Sequence, residues 1–142
     1  MLTETLNPAQ LRMVVMRLAR RLRQEVGPDI TWSQLSALAT VERLGPVSLK
    51  GLADAENITP PSMTRISTQL EETGLVARIH DPADRRIARL AITEAGRSML
   101  AESRSRRNAY LAERLAAMSS DDRDAISRAL PLLVRLAEEP GR

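Results

Sequence analysis

Two stretches of the chain carry side chains suited to a phosphate or a base edge. From Ile58 to Thr73, the apolar residues Ile58, Met63, Ile66 and Leu70 define one face. They leave Ser62, Thr64, Arg65, Ser67, Thr68 and Gln69 facing outward. Hydroxyls and amides bond to phosphates or bases, and the arginine fork matches both phosphate and guanine. Glu71 and Glu72 bring negative charge only at the far end of that face. The second stretch is Asp81-Pro82-Ala83-Asp84-Arg85-Arg86. It sets two guanidiniums at a loop tip, a position that reaches an adjacent minor groove. Asp84 is placed to orient one of them through a bidentate pair; the plainer reading is a surface ion pair of little worth.

Other chemistries fall away. The chain of 142 residues has no cysteine, which removes disulfides, thiolate nucleophiles, zinc fingers and thiol redox sensing. His80 is the one histidine, with no nucleophile-elbow sequence to partner it. No metal site is expected from carboxylates and His80 alone, and no cofactor motif is present. Trp32 and Tyr110 are too few aromatics for a single-strand stacking platform. The net charge of +3 is small, yet only Lys50 among the 21 basic residues is not arginine. That skew suits phosphate binding, and a GC-rich genome produces it equally well. No apolar run approaches the roughly 20 residues of a membrane span. MLTETLNPAQ lacks the basic and apolar regions of a secretory signal, so no membrane partner and a cytoplasmic location are expected.

The elements that must position the two stretches follow from local signals. Asn7-Pro8 opens a helix whose stripe is Leu11, Val14, Val15, Leu18 and Leu22, continued by Val26 before Gly27-Pro28. Thr31 caps a second helix that ends at Gly45-Pro46. Ser48 caps a short third helix, Leu49 to Ala55. Small Ala53 allows close helix approach, and Asn57, four positions on, tolerates a left-handed turn. Thr59-Pro60 starts the fourth helix, whose N-terminus favours phosphate. Leu75 to His80 and Ile87 to Thr93 read as a hairpin with a long tip. Thr93 caps a helix from Glu94 to about Met118, and Ser119 caps the last. Pro131 predicts a kink or break there.

Helix, tight turn, helix, hairpin is the order of a winged helix-turn-helix. The run SLKGLADAENITPPSMTRISTQLEETGLVARIHDPADRRIARLAITEAG resembles the multiple antibiotic resistance regulator (MarR) family. The specific part is LVAR, then DPADRR, then LAITEAG, similar to the family's wing signature. The resemblance implies a supporting helix over 48–55 and a recognition helix over 60–73 in the major groove. Ser62, Thr64, Arg65 and Gln69 would make its base and phosphate contacts. Arg86, beside Arg85, would enter the minor groove, held by Asp84. Arg78 would sit at the base of the wing, structural or touching phosphate. It also implies a homodimer, and many family members bind small phenolic or aromatic carboxylates between the dimerisation helices and the DNA-binding lobe. No motif fixes the ligand residues; Arg17, Arg20, Trp32 and Tyr110 are candidates only.

The expected fold is mainly α with a small β-hairpin wing: a single domain over 1–142, with a winged helix-turn-helix lobe over 30–93 and dimerisation helices over 8–26 and 94–138. The expected function is a ligand-responsive repressor that binds a palindromic double-stranded DNA operator as a homodimer. The alternative is a winged-helix protein-interaction module that binds no DNA. An enzyme is not expected.

Overall fold

The computed structural model describes residues 5–138. The described residues form two compact units, divided between Arg107 and Asn108.

The first unit opens with α1 (Pro8–Gln24), whose first amides are met by Asn7: its side chain accepts from the Ala9 N–H at 3.0 Å. The helix ends two residues earlier than the apolar stripe suggests. Val26 and Ile30 lie beyond it and are buried, whereas no residue within α1 is. Thr31 and Gln34 form a reciprocal capping box at the start of α2 (Trp32–Leu44). Ser48 caps α3 (Leu49–Glu56) by accepting from the Gly51 N–H. α4 spans Pro60–Glu72.

The hairpin is narrower than its sequence suggests, with β2 at Val76–His80 and β3 at Ala88–Ile92. It also has a third strand that the sequence does not announce. β1 (Val47–Ser48) pairs antiparallel with β3 through Val47↔Leu90 and Ser48↔Arg89, so the sheet order is β1-β3-β2. The core of the unit is Leu38, Val41, Leu52, Met63, Leu70, Leu90 and Leu100, all essentially inaccessible. Each such side chain contributes roughly 1.5–3 kcal/mol through burial. Together they fix α2, α3, α4 and the sheet as one lobe.

α5 (Glu94–Ala116) begins in this unit. Thr93 joins its first turn to the hairpin: its hydroxyl donates to the Gly74 carbonyl at 2.6 Å and accepts from the Gly96 N–H at 3.1 Å. Gly96 is buried there, and a Cβ at this position would strike the Leu75 carbonyl oxygen and Ile92.

The second unit holds the end of α5 and α6 (Ser120–Ala137). Ser119 caps α6, and Arg123 donates to the Leu115 and Met118 carbonyls at the end of α5. α6 runs unbroken through Pro131, so of the kink or break expected there the break does not occur. Proline removes one N–H, leaving the Ser127 carbonyl without its usual partner. Both residues are exposed, so water can satisfy that carbonyl. No helix among the described residues is long and apolar enough to cross a membrane.

Candidate nucleic-acid interface

The turn between α3 and α4 is set by a few local contacts. Leu52 and Ala53 are buried, and Asn57 takes the left-handed conformation (φ 53°, ψ 47°), as its residue type suggests. The Ile58 N–H returns to the Ala53 carbonyl at 3.1 Å. The chain therefore turns sharply, and Met63, Ile66 and Leu70 seat α4 against the core.

Ser67 is also buried, fully, so it does not belong to the outward face expected of it. Its hydroxyl donates to the Thr64 carbonyl at 3.0 Å, a local bond that lets a polar side chain sit beside Met63 and Leu70 without an unmet partner. Thr59 occupies the N-cap but its side chain does not cap: the hydroxyl donates to Ser62 Oγ at 3.0 Å. Pro60 and Pro61 carry no N–H. Among the first three helical residues only Ser62 can offer an amide to a phosphate, fewer than an ordinary helix start provides.

The remaining α4 residues differ in freedom. Thr64 is exposed, with its hydroxyl turned back to the Pro60 carbonyl at 3.0 Å. Arg65 is exposed and its side chain forms no ion pair or hydrogen bond among the described residues, so its guanidinium is available. Gln69 is exposed, but its Oε1 accepts from Gln34 Nε2 at 2.9 Å, tying the capping box of α2 to α4. Arg78 does not stand free at the base of the wing: its Nε donates to Glu71 Oε1 at 2.7 Å.

The wing loop is organised by two carboxylates, of which sequence reading singled out one. Asp84 grips Arg86 with both oxygens, accepting from Nε and Nη2 at 3.0 Å each, and from the Arg86 backbone N–H at 3.1 Å. Despite that grip the Arg86 side chain is 91% exposed. The Arg86 side chain and its backbone N–H hold the Asp84 carboxyl below its ordinary pKa, and Asp84 in turn raises that of Arg86. Asp81 is the carboxylate that sequence reading missed. Its Oδ1 accepts from the Ala83 and Asp84 N–H groups at 2.8 and 3.3 Å, and Oδ2 from Arg89 Nη1 at 3.2 Å. The Ala83 and Asp84 amides, then Arg89, depress its pKa. The signal was available: an Asp followed by Pro at a strand end commonly folds its side chain onto the amides two and three residues ahead. Arg85 is exposed, and only its backbone carbonyl is engaged, 3.2 Å from His80 Nδ1.

This three-helix lobe with its braced hairpin is a winged helix-turn-helix. The MarR family model matches residues 30–88. The HTH-type transcriptional regulator Mb0904 of Mycobacterium bovis is 36% identical over 92% of this chain and 92% of its own. The HTH-type transcriptional repressor MdtR of Bacillus subtilis is 28% identical over 66% of this chain and 60% of its own. Among solved structures, a transcriptional regulator protein from Pseudomonas aeruginosa superposes with a TM-score of 0.80 at 34% identity, covering 93% of this chain and 94% of that one. The chain belongs to the MarR family and is a helix-turn-helix transcriptional regulator.

Proposed function

We propose that this regulator binds a palindromic operator in double-stranded DNA as a homodimer, acts as a repressor, and is released by a small molecule. The observation that carries the DNA reading is the contrast between Arg65 and Arg86. One guanidinium is left free on the exposed side of α4, and the other is held out into solvent by a carboxylate clamp. Arg65, with Ser62, Thr64 and Gln69, suits the major groove, and Arg86 with Arg85 suits the minor groove. Asp84 serves by orientation.

The homodimer is supported by apolar side chains that the chain leaves uncovered. In α1, Val14 is 55% and Met16 62% exposed. In α6, Leu130 is 54% and Leu136 69% exposed. Surfaces of this kind mark association, and a two-fold dimer presents two identical readers, which a palindrome matches. The repressor sign has support from the similarity to MdtR. Release would follow if a small phenolic or aromatic carboxylate favours a dimer whose reader separation does not fit the operator.

Selection of bound fragments from genomic DNA tests the reading, followed by titration of the selected duplex at several salt concentrations. A two-fold symmetric site with steeply salt-dependent affinity is expected. Absence of salt-dependent duplex binding would favour a protein-interaction module instead. Sedimentation equilibrium tests the dimer, and a stable folded monomer of 15.7 kDa would overturn it.

A further inference from the structure

A cleft of about 240 Å³ lies in the lobe between α2, the α3–α4 turn and α4. Ala37, Ile58, Met63 and Ile66 give it apolar walls, and Trp32 lines it as well. Its one ionisable lining residue is Glu56. The Glu56 carboxylate is fixed by hydroxyls: Ser36 Oγ lies 3.0 Å from each oxygen, and Thr40 Oγ1 donates to Oε1 at 2.9 Å. Hydroxyl donors orient a carboxylate but leave its charge in place. Glu25, Glu42, Glu71, Asp81 and Asp84 each pair with an arginine. Glu56 forms no such pair among the described residues. Two hydroxyl protons also leave part of its acceptor capacity unused, since a carboxylate offers about four lone-pair sites.

We propose that this cleft binds a small organic cation, with a flat apolar body between α2 and α4 and its charged end on Glu56. Sign and size both follow from the lining. An aromatic carboxylate would bring like charge against Glu56, whereas an amidinium or ammonium would supply the missing opposite charge and donors. Drug-sized ligands occupy about 300–1,000 Å³, so this smaller cleft suits a single ring. The guanidiniums of Arg23 and Arg107 lie 5.5 and 5.6 Å from the centre of the Trp32 ring. They already use that ring's attraction for cations, which leaves Glu56 as the anchor for a cation in the cleft. The buried side of α4 forms one wall through Met63 and Ile66, so an occupant touches the back of the helix that carries Arg65. The importance of that contact for regulation rests on the proposed DNA reading; the binding itself does not.

The test opposes benzamidinium to benzoate, an isosteric pair of opposite charge, in titrations of the full chain without DNA. Trp32 is the only tryptophan, so its fluorescence reports the cleft. Benzamidinium should give a saturable change, and benzoate none. Glu56→Gln keeps an acceptor for Ser36 and Thr40 and should weaken benzamidinium by at least about tenfold, the loss expected when a charge-assisted bond becomes neutral. If that variant does not fold, Ser33→Arg places a competing guanidinium at an exposed lining residue and should block benzamidinium equally. Tighter binding of benzoate, no saturation by benzamidinium, or unchanged benzamidinium affinity in the folded variant would each overturn the proposal. Because no DNA is present, such a failure leaves the operator reading standing, and failure of operator binding leaves this site standing.

Discussion

The recognition helix and the wing both present arginine outward, but they are held in opposite ways. α4 is seated by Met63, Ile66 and Leu70, buried in a core shared with α2 and α3. The wing loop has no buried residue between Asp81 and Arg89 and is shaped by Asp81 and Asp84. A core-seated element keeps its position until the lobe unfolds, because its contacts are many and shared. An ion-paired loop depends on a few solvent-exposed bonds, each weak alone and screened by salt. The helix can therefore carry directional base contacts, whereas the wing suits a groove that asks mainly for positive charge.

Substitutions separate the two kinds of support. Met63→Ala should cost about 2–5 kcal/mol of lobe stability, the range for truncating a buried methionine. Chemical denaturation reads it, and a loss below about 1 kcal/mol would mean that the core does not seat α4. Next in size, Arg65→Ala should cost about 1–3 kcal/mol on the selected operator and relax discrimination at one base pair. Equal weakening on specific and random duplexes would make Arg65 a phosphate contact only. Arg86→Ala should leave the thermal midpoint unchanged, weaken binding across many sequences, and reduce the slope of log affinity against log salt by about one unit.

Asp84→Ala is the sharpest version of the comparison. If the wing meets DNA as proposed, removing a negative charge from it should strengthen binding by Coulomb's law alone. Loss of the clamp on Arg86 predicts the reverse, a weakening smaller than that of Arg86→Ala; tighter binding by this variant would refute the clamp. The effect of acid follows from the same carboxylates. Their folded pKa values lie below the ordinary 3.8, so their contribution is fully present above 3.8 and is lost as pH falls through the lower folded value. The Ala83 and Arg86 amide resonances should titrate with a midpoint below 3.8. Movement already complete above pH 3.8 would show that these carboxylates do not hold the loop.

Much of the lobe was legible because its signals are local. Caps act over three residues, so Asn7, Thr31, Ser48, Thr93 and Ser119 marked helix starts that the structure retains. The left-handed Asn57 and the Asp84–Arg86 pair are equally local, spanning one turn and two residues. What stayed illegible depends on partners far along the chain. β1 is two residues long and exists only because β3, some forty residues on, offers it a free edge. Gln69 looked free until α4 was laid beside Gln34 of α2. Nothing local singled out Glu56, whose carboxylate is met by Ser36 and Thr40 of α2 beside an apolar cleft. Ser67 and Pro131 show the remaining limit. The spacing of the apolar residues sent Ser67 outward, but a bond to its own helix makes burial tolerable; proline predicted a kink or break, but α6 is unbroken where the freed carbonyl is open to solvent. Sequence by itself determined the local geometry and the residue types of the reading face, because those need only neighbours. Tertiary structure decided which of those residues remain free to act, because hydrogen-bond partners and burial are set by whichever segments the core brings together.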